Sequence, residues 1–246
     1  MNENIYELLK EEAKKRDSED ELSYEKPDPL MIAKKYSDEY ISLICALFAY
    51  GNAKQIVKFL DSLDFSLLDN SQDIIEKYYY RFQSNQDVIE FLNTMRLLKK
   101  KTSIETRFNE GYKIRQNVMD GLESIISYMY EVNPYRSRGY EFLIGKIPTA
   151  KNSSPYKRWH MYLRWMVRHD NLDMGLWNCV DKKDLLVPLD THTFKVGKKL
   201  GLIERKSYDF KAVLELTESF RKIDFNDPVK YDFALYRIGQ EKKLEF

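Results

Sequence analysis

The scarcity of turn-forming residues is the feature that most constrains this chain. Only nine glycines and seven prolines occur in 246 residues, so the segments between chain breakers are long. Within these segments the apolar residues recur every three or four positions, as in Ala53, Ile56, Val57, Leu60 and Leu63. This spacing buries one face of a helix, whereas a strand requires alternation. The sequence therefore predicts an all-α protein without a convincing hairpin.

Polar residues with helix-capping preferences mark most of the predicted helix boundaries. Asp28-Pro29 has the pattern of an N-cap followed by a first-turn proline and predicts a helix that begins there. Asn52 precedes the stripe that starts at Ala53, and Asn226-Asp227-Pro228 precedes the last helix, which Gly239 is predicted to end. The predicted helices are 40–50, 53–63, 72–82, 85–99, 116–131, 156–168, 191–200, 210–223 and 229–238. The stretch 133–155 is the most broken by proline and glycine, and it is the best candidate for a functional loop or a crossing between two lobes.

The overall composition excludes several classes of protein. With 43% hydrophobic and 32% charged residues, the chain is too apolar to be disordered and too charged to be a membrane protein. The longest mostly apolar run, Ile41 to Tyr50, is too short to cross a bilayer, and the first twenty residues contain no secretory hydrophobic region. We therefore expect a soluble cytoplasmic protein that has no membrane partner.

The two cysteines, Cys45 and Cys179, limit the cofactors that the chain could hold. Two thiols cannot build a disulfide framework, a four-cysteine zinc site or an iron–sulfur cluster. The three histidines also lack the spacing typical of a metal site. No cofactor and no bound metal are expected.

Basic residues are concentrated between Phe142 and His169, where six occur without any acidic residue. Lys157, Arg164 and Arg168 share one face of the predicted helix 156–168, while the aromatic residues occupy another. One interpretation is that the helix packs on its aromatic face and presents these cations to a phosphate backbone. The alternative is a solvated basic surface that is balanced by acidic residues elsewhere.

The segment from Val187 to Val196 carries the most specific pattern. A short apolar run ends in Pro188-Leu189, and Asp190 stands directly before a predicted helix. Asp190 is therefore predicted to be a helix N-cap. A carboxylate at this position is also well placed to stabilise a nearby developing cation, and the two roles are compatible. We interpret His192 as a structural residue.

The segment from Pro188 to Leu202 resembles the region after the hairpin in helix-hairpin-helix DNA glycosylases of the endonuclease III type. The resemblance implies that Asp190 is the catalytic carboxylate and that Lys157 is the lysine nucleophile of the bifunctional members. Lys157 precedes Asp190 by 33 residues, a spacing closer to the archaeal 8-oxoguanine glycosylase branch. Ile41 to Ala53 resembles, more weakly, the early helix and the duplex-probing turn of these enzymes. The whole chain is similar to an uncharacterised bacterial family related to them.

The chain departs from this family at the hairpin itself. Residues 147–156 contain no Gly-x-Gly, and the four-cysteine iron–sulfur loop is absent. Side chains of the altered hairpin could replace the missing backbone contacts to phosphate. The residues predicted to contact DNA are Lys151, Asn152, Ser153, Ser154, Arg158, Arg164 and Arg168.

The resemblance implies two helical lobes with an intervening cleft, one formed by 37–156 and the other by 1–36 plus 157–246. It also implies a monomeric base-excision repair glycosylase that acts on damaged double-stranded DNA. Such an enzyme has lyase activity if Lys157 forms a Schiff base. Two alternatives remain open: a catalytically silent nucleic-acid-binding protein of the same fold, and a helical interaction module with no role in nucleic-acid binding.

Overall fold

The computed structural model describes residues 3–70, 74, 77–149 and 154–241, and regular structure within these ranges is helical. Two isolated bridges, Tyr80 with Gln83 and His169 with Met174, are the only extended pairings in these ranges. The prediction of an all-α protein is confirmed. The α-helices are α1 (Glu3–Arg16), α2 (Leu30–Tyr36), α3 (Glu39–Leu47), α4 (Ala53–Asp61), α5 (Asn85–Lys101), α6 (Ile104–Arg115), α7 (Val118–Val132), α8 (Arg138–Ile144), α9 (Lys157–Val167), α10 (Thr191–Lys199), α11 (Phe210–Arg221) and α12 (Asp232–Gln240).

None of the helices in these ranges is long and apolar enough to span a membrane.

The chain divides into two compact units. One comprises Met1–Glu21 and Lys151–Phe246, and the other comprises Leu22–Ala150. The first unit is discontinuous in sequence, as in the predicted layout, but the N-terminal boundary lies 15 residues earlier than predicted. The reason is that α2 packs against α3 and α4 and therefore belongs with them.

The Leu22–Ala150 unit has an aromatic core. The ring of Phe48, directly after α3, lies 4.8 Å from Phe59 and 5.6 Å from both Tyr80 and Phe91. These separations are typical of edge-to-face and tilted ring pairs. Asn52 caps α4 by accepting hydrogen bonds from two first-turn amides, as predicted.

A helix over 72–82 was predicted, and this prediction is wrong for the residues described there. Ile74 and Lys77–Phe82 are not helical, because tertiary contacts fix the segment in another conformation. The Tyr80 hydroxyl donates to the Tyr50 carbonyl at 2.6 Å, and Arg81 has a left-handed φ of 57°. The next helix then begins at Ser84, where a capping box with Asp87 closes the first turn of α5.

Three helices were missed by sequence periodicity. They are α1, α6 and α8, and α8 lies within the broken stretch that was interpreted as a functional loop. Its first turn is capped by the Ser137 side chain, which accepts from the Tyr140 amide.

In the unit formed by the two chain ends, α9 is buried on every side. Eight consecutive residues, from Trp159 to Met166, are buried. Such a helix has no solvent-facing surface over two turns, so its charged residues need partners inside the protein.

Gly239 does not end the last helix, contrary to prediction. α12 continues through it to Gln240, and a Cβ at this position would lie 2.4 Å from His192 Nε2 and 2.5 Å from Val196 Cγ2. The glycine therefore permits the close approach of α10 to α12. This approach positions the start of α10 relative to α12, where the candidate site is found.

Candidate active site

Lys157 is the first residue of α9 and is half-buried. The preceding residue, Tyr156, is buried and has a left-handed φ of 46°, which is uncommon for a bulky residue. Tyr156 provides no side-chain cap, so the partial positive charge of the helix start remains beside Lys157. The Lys157 ammonium donates to Met161 Sδ at 3.4 Å. Within the described ranges no carboxylate forms an ion pair with it.

Asp190 caps α10, as the sequence predicts. Its Oδ1 accepts hydrogen bonds from the His192 amide at 2.9 Å and the Thr193 amide at 2.7 Å. These donors and the start of the α10 dipole stabilise the carboxylate anion. The segment before it is held in place because the Tyr208 hydroxyl donates to the Leu189 carbonyl at 2.9 Å. Burial, with the Asp190 charge as a smaller cause, raises the pKa of Tyr208 to about 12.

The helix that Lys157 begins and the helix that Asp190 caps both contact α12. Arg164 of α9 pairs with Asp232, the first residue of α12, and α10 packs against α12. Asp232 is buried, and burial raises the pKa of its carboxyl to about 6; the Arg164 and Lys157 charges oppose this rise, and the Asp190 charge adds to it. The structure therefore brings α9, α10 and the start of α12 together in one unit.

Arg164 and Arg168 do not form an exposed basic face, and this interpretation is corrected. Both are buried. Arg164 Nη1 lies 2.5 Å from Asp232 Oδ2, and its Nε lies 3.2 Å from Asp173 Oδ1. Arg168 binds Asp227 through two nitrogens, at 2.9 and 3.1 Å. Arg168 also pairs with Asp170 and Asp173.

The physical reason for this correction is the cost of leaving a guanidinium unpaired in a protein interior. Four aspartates surround the two arginines, so the cluster carries more acidic than basic groups. Accordingly, burial raises the pKa of Asp173 despite its arginine partners. Arg164 and Arg168 also line a cavity of about 230 Å³ between α1 and the segment 229–234. We therefore withdraw them as DNA contacts.

Of the remaining predicted DNA contacts, the structure describes Arg158 and Ser154. Arg158 is the second residue of α9 and is half-buried, and Ser154 is half-buried just before that helix. Lys151, Asn152 and Ser153 lie outside the described residues. The ring of His192 lies 6.1 Å from that of Tyr236 in a T-shaped contact.

Sequence comparison places the chain in a family. The family model described as "Protein of unknown function (DUF2400)" matches residues 28–241. The chain belongs to the DUF2400 family. No curated protein and no solved structure shows a match. The family description carries no activity, so the function of this DUF2400 member has to be argued from its site.

Asp232 is the site residue that sequence reasoning missed. It lies in the apolar run Val229-Lys-Tyr-Asp-Phe-Ala-Leu235, and an acidic residue in such surroundings indicates a buried, partnered carboxylate. Arg164 and Arg168 carry the same signal, because each is flanked by large apolar residues in Leu-Arg-Trp-Met-Val-Arg. Read together, these two patterns could have indicated a buried ion pair instead of a surface cluster.

The arrangement combines an amine with two carboxyl groups in different surroundings. Asp190 accepts hydrogen bonds from two backbone amides, whereas Asp232 is buried and has a pKa near 6. Carboxyl groups in such contrasting surroundings can divide electrostatic stabilisation and proton transfer between them. The amine of Lys157 is of the type that forms covalent adducts with carbonyl carbons and with C1′ of a sugar.

Proposed function

We propose that this DUF2400 protein is a cytoplasmic DNA base-excision glycosylase with lyase activity. The observation that carries the proposal is that Lys157 begins α9 and Asp190, 33 residues later, caps α10, and that both helices contact α12. The resemblance of residues 188–202 to helix-hairpin-helix glycosylases is an independent reason to choose this chemistry. We further propose that the two units correspond to the two lobes of such an enzyme.

In this proposal Lys157 and Asp190 have separate roles. The neutral amine of Lys157 attacks C1′ of a damaged nucleotide, and the glycosidic bond breaks with its electron pair leaving on the base. Positive charge develops on the sugar as the bond breaks, and the Asp190 carboxylate stabilises it. The nitrogen then loses a proton to solvent and the C1′–O4′ bond opens, with O4′ keeping the bonding pair and taking a proton from solvent. The Schiff base formed in this way allows β-elimination of the 3′ phosphate. A duplex substrate must first have its target nucleotide rotated out of the stack.

The DNA-contacting surface of the proposal changes with the structure. Since Arg164 and Arg168 are neutralised by aspartates, phosphate contacts are assigned to the region around the start of α9. Arg158 and Ser154 belong to this region. Lys151, Asn152 and Ser153, which precede Ser154 in sequence, remain proposed contacts that lie outside the described residues. A salt titration of DNA binding checks this assignment, because every phosphate contact steepens the salt dependence. We expect Arg158→Gln to make this dependence shallower.

The activity is tested with end-labelled duplexes that each contain one damaged base or an abasic site. The panel comprises 8-oxoguanine, uracil, thymine glycol and an alkylated purine, with and without borohydride. We expect strand cleavage and a borohydride-trapped covalent adduct with at least one duplex. Lys157→Gln should abolish the adduct, while Lys195→Gln, a matched change at an exposed lysine of α10, should leave it unchanged.

Asp190 has a separate expected effect. Asp190→Asn should retain the helix cap and slow base release by about 100-fold or more, because it removes the negative charge that faces the sugar cation. An absence of product and adduct with every duplex would overturn the proposal. DNA binding without cleavage would instead favour the catalytically silent nucleic-acid-binding protein.

A further inference from the structure

The Leu22–Ala150 unit carries a group of contacting aromatic rings at its surface. The ring of Phe82 lies 4.6 Å from that of Phe142, and the ring of Tyr50 lies 4.9 Å from Phe142 and 5.8 Å from Phe82. Phe82 is 51% exposed and Phe142 is 40% exposed, whereas Tyr50 is half-buried. Single exposed apolar side chains are ordinary, but contacting ones form a continuous patch of the kind found at binding sites. We call these three residues the aromatic patch.

A buried glutamine links the three segments that form the aromatic patch. Gln83 accepts a hydrogen bond from the Tyr50 hydroxyl and donates one to the Gly139 carbonyl of α8 at 3.3 Å. Its own amide donates to the Tyr80 carbonyl at 3.1 Å, which closes a tight turn with Phe82 at its tip. The rings are therefore held in place before a ligand binds, and this lowers the entropic cost of binding.

Arg81 precedes Phe82 in the same turn and places a cation beside the patch. Its φ of 57° is a left-handed conformation that turns usually assign to glycine or asparagine. The guanidinium lies 5.8 Å from the centre of the Tyr50 ring, within the range of a cation–π contact. A Cβ on Gly51 would lie 2.6 Å from Arg81 Nη1, so the absence of a side chain at Gly51 makes room for this cation.

The charge around the aromatic patch is predominantly positive. The patch is formed by the segments 50–54, 77–82 and 138–147, in which Glu141 is the acidic residue. Arg138 precedes Phe142 by four residues on α8, so their side chains share one face of the helix. Within the described ranges neither Arg81 nor Arg138 forms an ion pair. The basic residues of the three segments are all exposed: Lys54, Lys77, Arg81, Arg138 and Lys146.

We propose that the aromatic patch binds unpaired bases of a single-stranded nucleic acid. Exposed rings stack on bases of any sequence, while neighbouring cations contact the phosphates that join them. The excess of lysine and arginine favours this partner over a protein, because charged residues are depleted from the core of protein–protein interfaces. The inference goes beyond the proposed function, since it requires neither Lys157 nor Asp190 nor a damaged base.

The test measures binding of the full chain to short fluorescent strands by anisotropy at low salt. The strands are oligothymidylate, oligouridylate and an abasic strand with the same number of phosphates. The wild type should bind at least one strand that has bases about 10-fold or more tightly than the abasic strand, as expected for stacking of a single base. The tighter of the two base-containing strands identifies the preferred polymer, DNA or RNA.

Variants then assign this preference to the aromatic patch. Phe82→Leu and Phe142→Leu should each remove most of it, because leucine retains the apolar side chain but has no ring face. Phe82→Tyr should retain the preference. Phe225→Leu is the matched control, since Phe225 is also an exposed phenylalanine but belongs to the other unit. Arg81→Gln should weaken binding to all three strands and make its salt dependence shallower.

A second readout locates the contact in the chain. Photocrosslinking to an oligothymidylate that contains a thiothymidine, followed by peptide mass spectrometry, should place the adduct within 77–83 or 138–147. Equal affinity for the abasic strand and the strands with bases overturns the inference, as does a preference that both leucine variants of the patch retain. Binding of no strand also overturns it and leaves a protein as the partner of the exposed rings. Failure of the cleavage assays does not affect this inference, because the strands contain no damaged base.

Discussion

The two ends of α9 carry basic residues in opposite surroundings. At the N-terminal end, Lys157 is half-buried and has a thioether sulfur as its hydrogen-bond acceptor. At the C-terminal end, Arg168 is buried and pairs with three aspartates. Basic residues on one helix thus differ in their surroundings: Arg168 is held in a buried ion-pair cluster, and Lys157 is not. The difference is made by carboxylates from other parts of the chain.

This comparison explains why a basic cluster is not by itself a nucleic-acid interface. A cation contributes to phosphate binding only if its charge reaches solvent. The cations that come from the middle and end of α9 are neutralised inside the protein, and those before Trp159 are the ones that remain near its surface. Three predictions test how strongly the residues along α9, from its C-terminal to its N-terminal end, differ in their effect on the free energy of unfolding.

The largest expected effect is at the C-terminal end. Arg168→Met should lower the free energy of unfolding by about 3–5 kcal/mol, because it leaves Asp170, Asp173 and Asp227 buried without their shared cation. Urea unfolding followed by circular dichroism measures this change. A loss below about 1 kcal/mol, the range of a surface ion pair, would show that the aspartates are accessible to water and that the two ends of the helix are alike.

The middle of α9 should make stability depend on pH. His160 is buried, neither of its ring nitrogens has a partner within the described ranges, and burial lowers its pKa to about 3. The unfolded chain binds a proton at His160 below its ordinary value of about 6.5, whereas the folded chain does not. Stability is therefore lost as the pH falls below 6.5. Between pH 7 and 5 this amounts to about 2 kcal/mol.

His160→Leu should remove this pH dependence. The quantity to measure is the difference in unfolding free energy between wild type and His160→Leu at pH 7 and at pH 5. Comparing the two proteins cancels the opposite contribution of Asp232, whose raised pKa makes the folded state gain stability as the pH falls from about 6. An equal difference at both pH values would mean that His160 is protonated in the folded protein.

The smallest effect is expected at the N-terminal end. Lys157→Met should change the free energy of unfolding by no more than about 0.5 kcal/mol, as for a surface substitution, because Lys157 has no ion pair to lose within the described part of the chain. The measurement is the same urea titration used for Arg168→Met. A destabilisation comparable to that of Arg168→Met would indicate that Lys157 is a structural residue and would argue against its proposed role as a nucleophile.

Local features of this protein were predictable from sequence. The caps at Asn52 and Asp190 are confirmed, because a capping side chain bonds to amides only two or three residues away. The all-α class was predictable for the same reason, because helical periodicity relates residues on neighbouring turns that are close in sequence. The conformation of 77–82 could not be predicted in this way, because it depends on a hydrogen bond to the distant Tyr50 carbonyl.

The sequence by itself determined the helical class, the capped helix starts and the position of Lys157 and Asp190 at the starts of two helices. Only the tertiary structure decided that Arg164 and Arg168 are buried and that Asp232 joins the site. Arg164 meets Asp232 across 68 residues of chain, and Arg168 meets Asp227 across 59. A charged side chain is stabilised by the groups that surround it in space, so its role cannot be predicted from its neighbours in sequence. The role of a helix cap can be predicted from sequence, because its partners are the amides of the helix that it begins.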